Sequence, residues 1–159
     1  MSEREIEAII SDFECLEDWE QRYQYLTELG EALPTMPEDL HTEENRVKAC
    51  MSKVWVKPYS DPTDSSKILF YGDCDTSIIK GVLALLVRIY SGKTAAEIQA
   101  LDVDDLFERL ALAENLSPNR HVGIYAIVEV MKAQVAMLAS AAIHASTINS
   151  SNSKPASSK

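Results

Sequence analysis

The cysteine at position 50 has the surroundings that best suit nucleophilic chemistry. Cys50 follows a polar stretch and precedes a strand-like apolar run, so another macromolecule can reach it on the loop between them. Nearby positive charge stabilises a thiolate, which is the nucleophilic form of cysteine. Residue type and spacing leave two interpretations open, a reactive thiol and a buried structural one. The cations close to it in the sequence are Arg46, Lys48 and Lys53.

The other titratable residues indicate capping, surface or packing roles. The chain holds no CxxC, HExxH or GxSxG motif and no Gly-rich phosphate loop. Three scattered histidines are expected to be surface or capping residues. Three aspartates resemble a metal cluster in composition, but their place at a predicted helix start favours capping. The histidines are His41, His121 and His144, and the aspartates are Asp102, Asp104 and Asp105. Cys15 lies on the first predicted helix and is expected to face the core.

The composition predicts a single acidic, cytoplasmic domain. The chain has 159 residues and a formal net charge of −10, and polyanions bind basic surfaces, so neither nucleic acid nor a membrane is an expected partner. Residues 1–45 carry 14 acidic and two basic residues, a net of −12. The longest unbroken aliphatic run, Val82–Val87, is far shorter than the roughly 20 residues that span a bilayer. The acidic N-terminus has no signal-peptide core.

Hydrophobic periodicity predicts the elements that must position these residues. Two helices precede a short antiparallel hairpin, and a nearly all-apolar helix capped by Asp73 or Asp75 follows it. This order is typical of an α+β fold. It predicts one domain over residues 1–145 and a flexible Ser-rich tail over 146–159. The predicted helices cover residues 3–14, about 19–30, 76–90, 94–100, 104–110 and 118–143, and the predicted strands cover 52–59 and 67–71.

Four separated blocks of the chain resemble the SufE family, in the order in which that family has them. They match its LP-x-[ML]-P, ENxVxGCxSxVW, GDSDxxIxKG and LSPxRxxG motifs, within a similarity that extends from about Leu16 to Lys132. The resemblance implies the SufE and IscU-like fold, in which a small antiparallel sheet packs against helices. The blocks are Leu33–Pro37, Glu44–Trp55, Gly72–Gly81 and Leu116–Gly123.

The resemblance implies a role in sulfur transfer. SufE-like proteins accept sulfane sulfur from a pyridoxal-phosphate cysteine desulfurase of the SufS or CsdA type, activate that enzyme and pass the sulfur to an iron–sulfur scaffold. Cys50 matches the acceptor position, where thiol–persulfide exchange needs an accessible thiolate. The protein itself then needs no cofactor or metal, and it is expected to be a monomer or a homodimer. The residues expected to support the Cys50 loop are Arg46, Lys48, Ser52, Asp73, Cys74, Asp75 and Arg120.

An alternative function and three departures from the family motifs stay open. The alternative is an IscU-like cluster or zinc scaffold with Cys50 and Cys74 as ligands, completed by Asp75 or His121. Ala49 stands where the family has Gly, which implies a stiffer loop, and Met51 stands where Gln is common. Cys74 stands where Ser is usual. If the two cysteine loops lie together, Cys74 shields, hydrogen-bonds or under oxidation pairs with Cys50; otherwise it is a Ser replacement with no role.

Overall fold

Six α-helices and a three-stranded antiparallel sheet make up the part of the chain that the structure describes. The computed structural model describes the backbone of residues 3–111 and 118–157 and the side chains of 6–111, 118 and 122–141. The predicted α+β class is confirmed. The helices are α1 (Glu3–Cys15), α2 (Trp19–Glu31), α3 (Ser77–Tyr90), α4 (Ala95–Ala100), α5 (Asp104–Arg109) and α6 (Pro118–Ser157), with a 3₁₀ turn at Glu38–Leu40, and the strands are β1 (Val54–Asp61), β2 (Asp64–Cys74) and β3 (Lys93–Thr94).

Side-chain caps begin two of the predicted helices. Asp18 Oδ1 accepts a hydrogen bond of 2.8 Å from the Gln21 amide at the start of α2. Thr94 and Glu97 form a reciprocal capping box at the start of α4. Each interaction satisfies amide groups that have no partner within the first turn of a helix.

The predicted hairpin is present, and its second strand is longer than predicted. β1 pairs with β2, β2 pairs with β3, and both pairs are antiparallel. In the register of β1 and β2, Val54 lies opposite Cys74 and Val56 lies opposite Gly72. Alternate residues of both strands are buried on the face that packs against α3 and α6. Cys74 therefore belongs to β2 and faces the core, rather than lying on the turn after it.

The central helix α3 is almost wholly buried, as its composition predicts. It packs against β2 on one side and α2 on the other. A Cβ atom on Gly81 would overlap the backbone carbonyl of Leu26. The missing side chain therefore allows α2 and α3 to cross in direct backbone contact, which fixes the layer beneath the sheet.

The last helix is longer than its periodicity predicts. The expectation of an end near residue 143 is wrong, because α6 continues through the Ser-rich segment to Ser157; a flexible tail over 146–159 stays a prediction. The stretch Val122–Ala141 is long and apolar enough to cross a membrane by length and composition, with a mean hydropathy of 1.6. Its buried residues, 39% of the apolar window, recur at helical spacing, and the helix contacts β1, so core packing accounts for part of this hydropathy.

Candidate functional site

Cys50 lies on a tight surface loop, with its side chain turned inward. The amide of Val47 donates to the carbonyl of Val54 at 2.8 Å and closes the loop, while the Cys50 amide donates to Val47 O at 3.3 Å. Cys50 is only 7% exposed, whereas Met51 beside it is 80% exposed and Lys48 is also exposed. The loop is accessible, but its sulfur is covered in this conformation.

The sulfur of Cys50 occupies the space that a side chain at position 123 would fill. A Cβ atom built on Gly123 of α6 would lie 2.8 Å from Cys50 Sγ, and 3.6 Å from its Cβ. Ordinary contacts between such atoms are 3.5–4.0 Å or longer. Gly123 belongs to a family-like block, but no local signal places it against Cys50, since the two residues are far apart in the chain.

Hydrogen bonds join the Cys50 loop to the end of β2. Ser52 Oγ lies 2.7 Å from Thr76 Oγ1. The Lys53 amide donates to Asp75 Oδ1 at 3.0 Å, and the Asp75 amide donates to the Lys53 carbonyl at 3.1 Å. The expectation that the loops around positions 50 and 74 lie together is therefore confirmed by these contacts.

Cys74 is a second buried thiol at this junction. It is 7% exposed and belongs to the same apolar cluster as Cys50. The Thr76 amide donates to its Sγ at 3.4 Å. Burial raises the pKa of Cys74 to about 11, and the neighbouring Asp75 and Cys50 add to this effect. At neutral pH, Cys74 is a protonated thiol.

His41, expected to be a surface or capping residue, forms an ion pair at the same junction. Its Nε2 lies 2.8 Å from Asp73 Oδ2, and its ring packs edge-on against Trp55. The hydrogen bond to Asp73 raises the pKa of His41 above 6.5. Burial alone would raise the pKa of Asp73, but hydrogen bonds from His41 and from the Cys74 amide, with the charge of Lys80 at 3.5 Å, lower it.

The two aspartates predicted to cap α3 hold the site together instead. Thr76 is the N-cap residue of α3, and its side chain makes no capping hydrogen bond. Asp73 is engaged by His41 and Lys80, and Asp75 by the Cys50 loop. The capping prediction is wrong because both carboxylates are used by contacts across the junction that local sequence does not reveal.

The cations predicted to surround the thiol point to solvent or to acidic neighbours. The Lys48 and Lys53 side chains are exposed. Arg46 Nη1 lies 3.6 Å from Glu43 Oε1, and its backbone bridges to β1 at Trp55. Arg46 therefore braces the start of the loop, and an effect of these cations on the Cys50 thiolate stays a prediction.

Three further predictions concern Cys15, the residues near the last helix, and a metal site. Cys15 is exposed, so the expectation that it faces the core is wrong. The side chains of Arg120, His121 and His144 lie outside the described residues. Among the side chains that are described, no three His, Cys, Asp or Glu residues cluster closely enough to hold a metal ion. A cluster or zinc scaffold of Cys50, Cys74 and Asp75 therefore has no support from the described side chains, and completion of such a site by His121 stays a prediction.

Comparisons with known proteins identify sequences similar to this chain. The family model "SufE: Fe-S metabolism associated domain" matches residues 7–135. The chain is 40% identical over 137 residues to an uncharacterized SufE-like protein of Rhizobium etli, covering 86% of this chain and 93% of that protein. It is 38% identical over 130 residues to an uncharacterized SufE-like protein of Rhizobium meliloti, covering 81% and 93%.

A solved structure has the same fold. The solution structure of a hypothetical protein from Thermus thermophilus superposes with a TM-score of 0.66 at 22% identity. The match covers 86% of this chain and 97% of that one. At this identity the similarity concerns the fold alone.

Proposed function

Because the chain belongs to the SufE family, whose domain is associated with Fe–S metabolism, we propose that it accepts sulfane sulfur on Cys50 from a cysteine desulfurase and activates that enzyme. The observation that carries the proposal is the position of Cys50. Its sulfur lies beneath an exposed turn, at the junction to which Asp73 and Asp75 both contribute.

The proposed transfer is a thiol–persulfide exchange. The Cys50 thiolate attacks the terminal sulfur of a persulfide on the catalytic cysteine of the desulfurase. A new S–S bond forms at Cys50, the S–S bond on the desulfurase breaks, and its cysteine leaves as a thiolate. The transferred sulfur keeps its oxidation state, so the step needs neither an oxidant nor a reductant.

Attack on a partner requires the Cys50 loop to open. Cys50 as a residue is only 7% exposed, so its sulfur cannot meet an external persulfide in line until the loop moves. Within residues 48–52, the Cys50 amide donates a long turn hydrogen bond of 3.3 Å to the Val47 carbonyl. Bonds of this kind are among the first to open locally. The thiol is therefore covered until the loop opens, and a docked partner would hold the loop open.

The surface around the covered thiol suits an apolar contact with that partner. Met51, next to Cys50, is 80% exposed, and Val122, next to Gly123, is 60% exposed. Both are large apolar side chains in solvent, and they flank the contact between Cys50 and Gly123. Apolar groups of this kind gain free energy when a partner covers them.

The remaining parts of the proposal follow from the same chemistry. The pyridoxal phosphate belongs to the desulfurase, and this chain has no cofactor of its own. The sulfur accepted on Cys50 is passed to an iron–sulfur scaffold, and the transfer takes place in the cytoplasm. Neither nucleic acid nor a membrane is a partner in this account, and the free protein is a monomer or a homodimer.

A desulfurase assay with two matched substitutions tests the proposal. Turnover of L-cysteine by a SufS- or CsdA-type enzyme is measured alone and with the wild-type chain, Cys50→Ser or Cys74→Ser, under reducing conditions. We expect the wild type and Cys74→Ser to stimulate turnover and Cys50→Ser to lose the stimulation. Stimulation by Cys50→Ser equal to that by the wild type would show that Cys50 is not the acceptor.

A further inference from the structure

Cys74 is a buried thiol that sulfur acceptance on Cys50 does not use. It lies at the end of β2, opposite Val54, which closes the Cys50 loop through its carbonyl. The hydrogen bonds of Ser52 and Lys53 hold that loop against the residues that follow Cys74. Two oxidisable sulfur atoms are therefore held at one junction, in one apolar cluster.

Small molecules can reach the Cys74 side of this junction from the surface. Cys74 lines a shallow pocket of about 200 Å³ between α2 and the start of α3, together with Gly30, Asp75 and Lys80 among others. This volume admits a molecule as small as a hydroperoxide, since one water occupies about 30 Å³ of liquid. Cys50 does not line this pocket and is covered by its own turn, so a hydroperoxide meets its sulfur only when the Cys50 loop opens.

We propose that Cys74 is the resolving thiol of Cys50, and that the two form a reversible intramolecular disulfide after a hydroperoxide oxidises Cys50. In the first step, the Cys50 thiolate attacks the peroxide, a sulfur–oxygen bond forms, the O–O bond breaks, and an alkoxide or hydroxide leaves. In the second, Cys74 Sγ attacks Cys50 Sγ, a sulfur–sulfur bond forms and the sulfur–oxygen bond breaks. The departing hydroxide takes the Cys74 proton, so one water is released.

Cys74 is a poor candidate for the first step, and the second step relies on its position beside Cys50. With its pKa raised to about 11, the thiol stays protonated and resists direct oxidation, which proceeds through the thiolate. Its attack on oxidised Cys50 is intramolecular, and such reactions gain greatly from proximity. The disulfide blocks sulfur acceptance at Cys50, and a small thiol restores it. The inference goes beyond sulfur transfer and does not depend on it.

Peptide mapping after mild oxidation tests the inference. The full-length chain carries Cys15→Ser, because the exposed Cys15 would form bridges between molecules. It is treated with hydrogen peroxide, and the remaining thiols are blocked with N-ethylmaleimide. Cleavage after lysine places Cys50 in the peptide 49–53 and Cys74 in the peptide 68–80. We expect these peptides to be linked, both maleimide adducts to be lost together, and both to return after reduction.

A chain without Cys74 is the control for bridge formation, and two results would refute the inference. With Cys74→Ser added, we expect Cys50 to gain oxygen atoms and no bridge to form. Because a disulfide needs its Cα atoms within about 7 Å, a Cys50 that gains oxygen while Cys74 still reacts with maleimide would refute the inference. Two free thiols after excess peroxide would refute it as well. Bridge formation with full desulfurase stimulation by Cys50→Ser would instead uphold the inference and reject the proposed function.

Discussion

Replacing Gly123 by alanine should disturb the protein through the sulfur of Cys50 alone. The new Cβ would lie 2.8 Å from Cys50 Sγ, about 1 Å inside an ordinary contact, while its distances of 3.6 and 3.7 Å to Cys50 Cβ and Cα are ordinary. Overpacking of this kind costs about 1–3 kcal/mol. Alanine in a helix interior is about 0.5–1 kcal/mol more favourable than glycine. The net expectation for Gly123→Ala is a loss of about 1 kcal/mol.

A double-mutant cycle separates the clash from other effects of the substitution. In a Cys50→Ala background the sulfur is absent, so Gly123→Ala should stabilise the protein by about 0.5–1 kcal/mol. The coupling between the two positions should then be about 2 kcal/mol. The free energies of unfolding of the four chains are obtained from urea titrations. Equal destabilisation by Gly123→Ala in both backgrounds would refute the contact between Gly123 and Cys50.

The Gly123→Ala variant also tests whether the clash is relieved by opening of the Cys50 loop. If the clash of about 2 kcal/mol is relieved by opening the Cys50 loop, alkylation of Cys50 by iodoacetamide should become about 30-fold faster. The Gly72→Ala chain serves as control, because its Cβ would meet Leu83 and Val87 rather than Cys50. An unchanged alkylation rate in a folded Gly123→Ala chain would show that Cys50 relaxes by side-chain rotation alone.

Three further substitutions test the junction and the helix crossing. Asp75→Ala removes the acceptor of a loop amide, so it should cost about 1 kcal/mol and speed Cys50 alkylation several-fold; an unchanged rate would contradict the tether. Because Asp73 raises the pKa of His41 above 6.5, the pair stabilises the fold fully below pH 6.5, and this contribution is lost as pH rises through the raised pKa. Urea titrations at increasing pH should therefore show the wild type losing free energy of unfolding relative to His41→Asn as pH rises above 6.5. A difference between the two chains that does not change with pH would contradict the pairing. Gly81→Ala places a Cβ against the Leu26 backbone and should cost about 3 kcal/mol, and a chain as stable as the wild type would refute this crossing.

Local signals predicted most of the fold. Apolar spacing located the helices, because helical periodicity acts within a few residues. The alternating apolar residues of the two strands located the hairpin for the same reason. The length of α6 was missed since Ser-rich composition has no apolar periodicity to indicate a helix.

The candidate site depended on contacts that a single sequence does not display. His41 and Asp73 are 32 residues apart in the chain, and Gly123 reaches Cys50 only through the packing of α6. Cys15 shows a different kind of error. It lies two residues, or about 200° around a helix, from the buried Phe13, so the helical phase already indicated the exposed face.

The location of the transferred sulfur tests the account most directly. The Cys15→Ser chain is incubated with a cysteine desulfurase and L-cysteine without a thiol reductant, and the product is examined by intact-mass spectrometry and peptide mapping. We predict the gain of one sulfur atom in the peptide 49–53, which holds Cys50, and no gain in the chain that also carries Cys50→Ser. Sulfur found on Cys74 instead, or an equal gain without Cys50, would contradict the account.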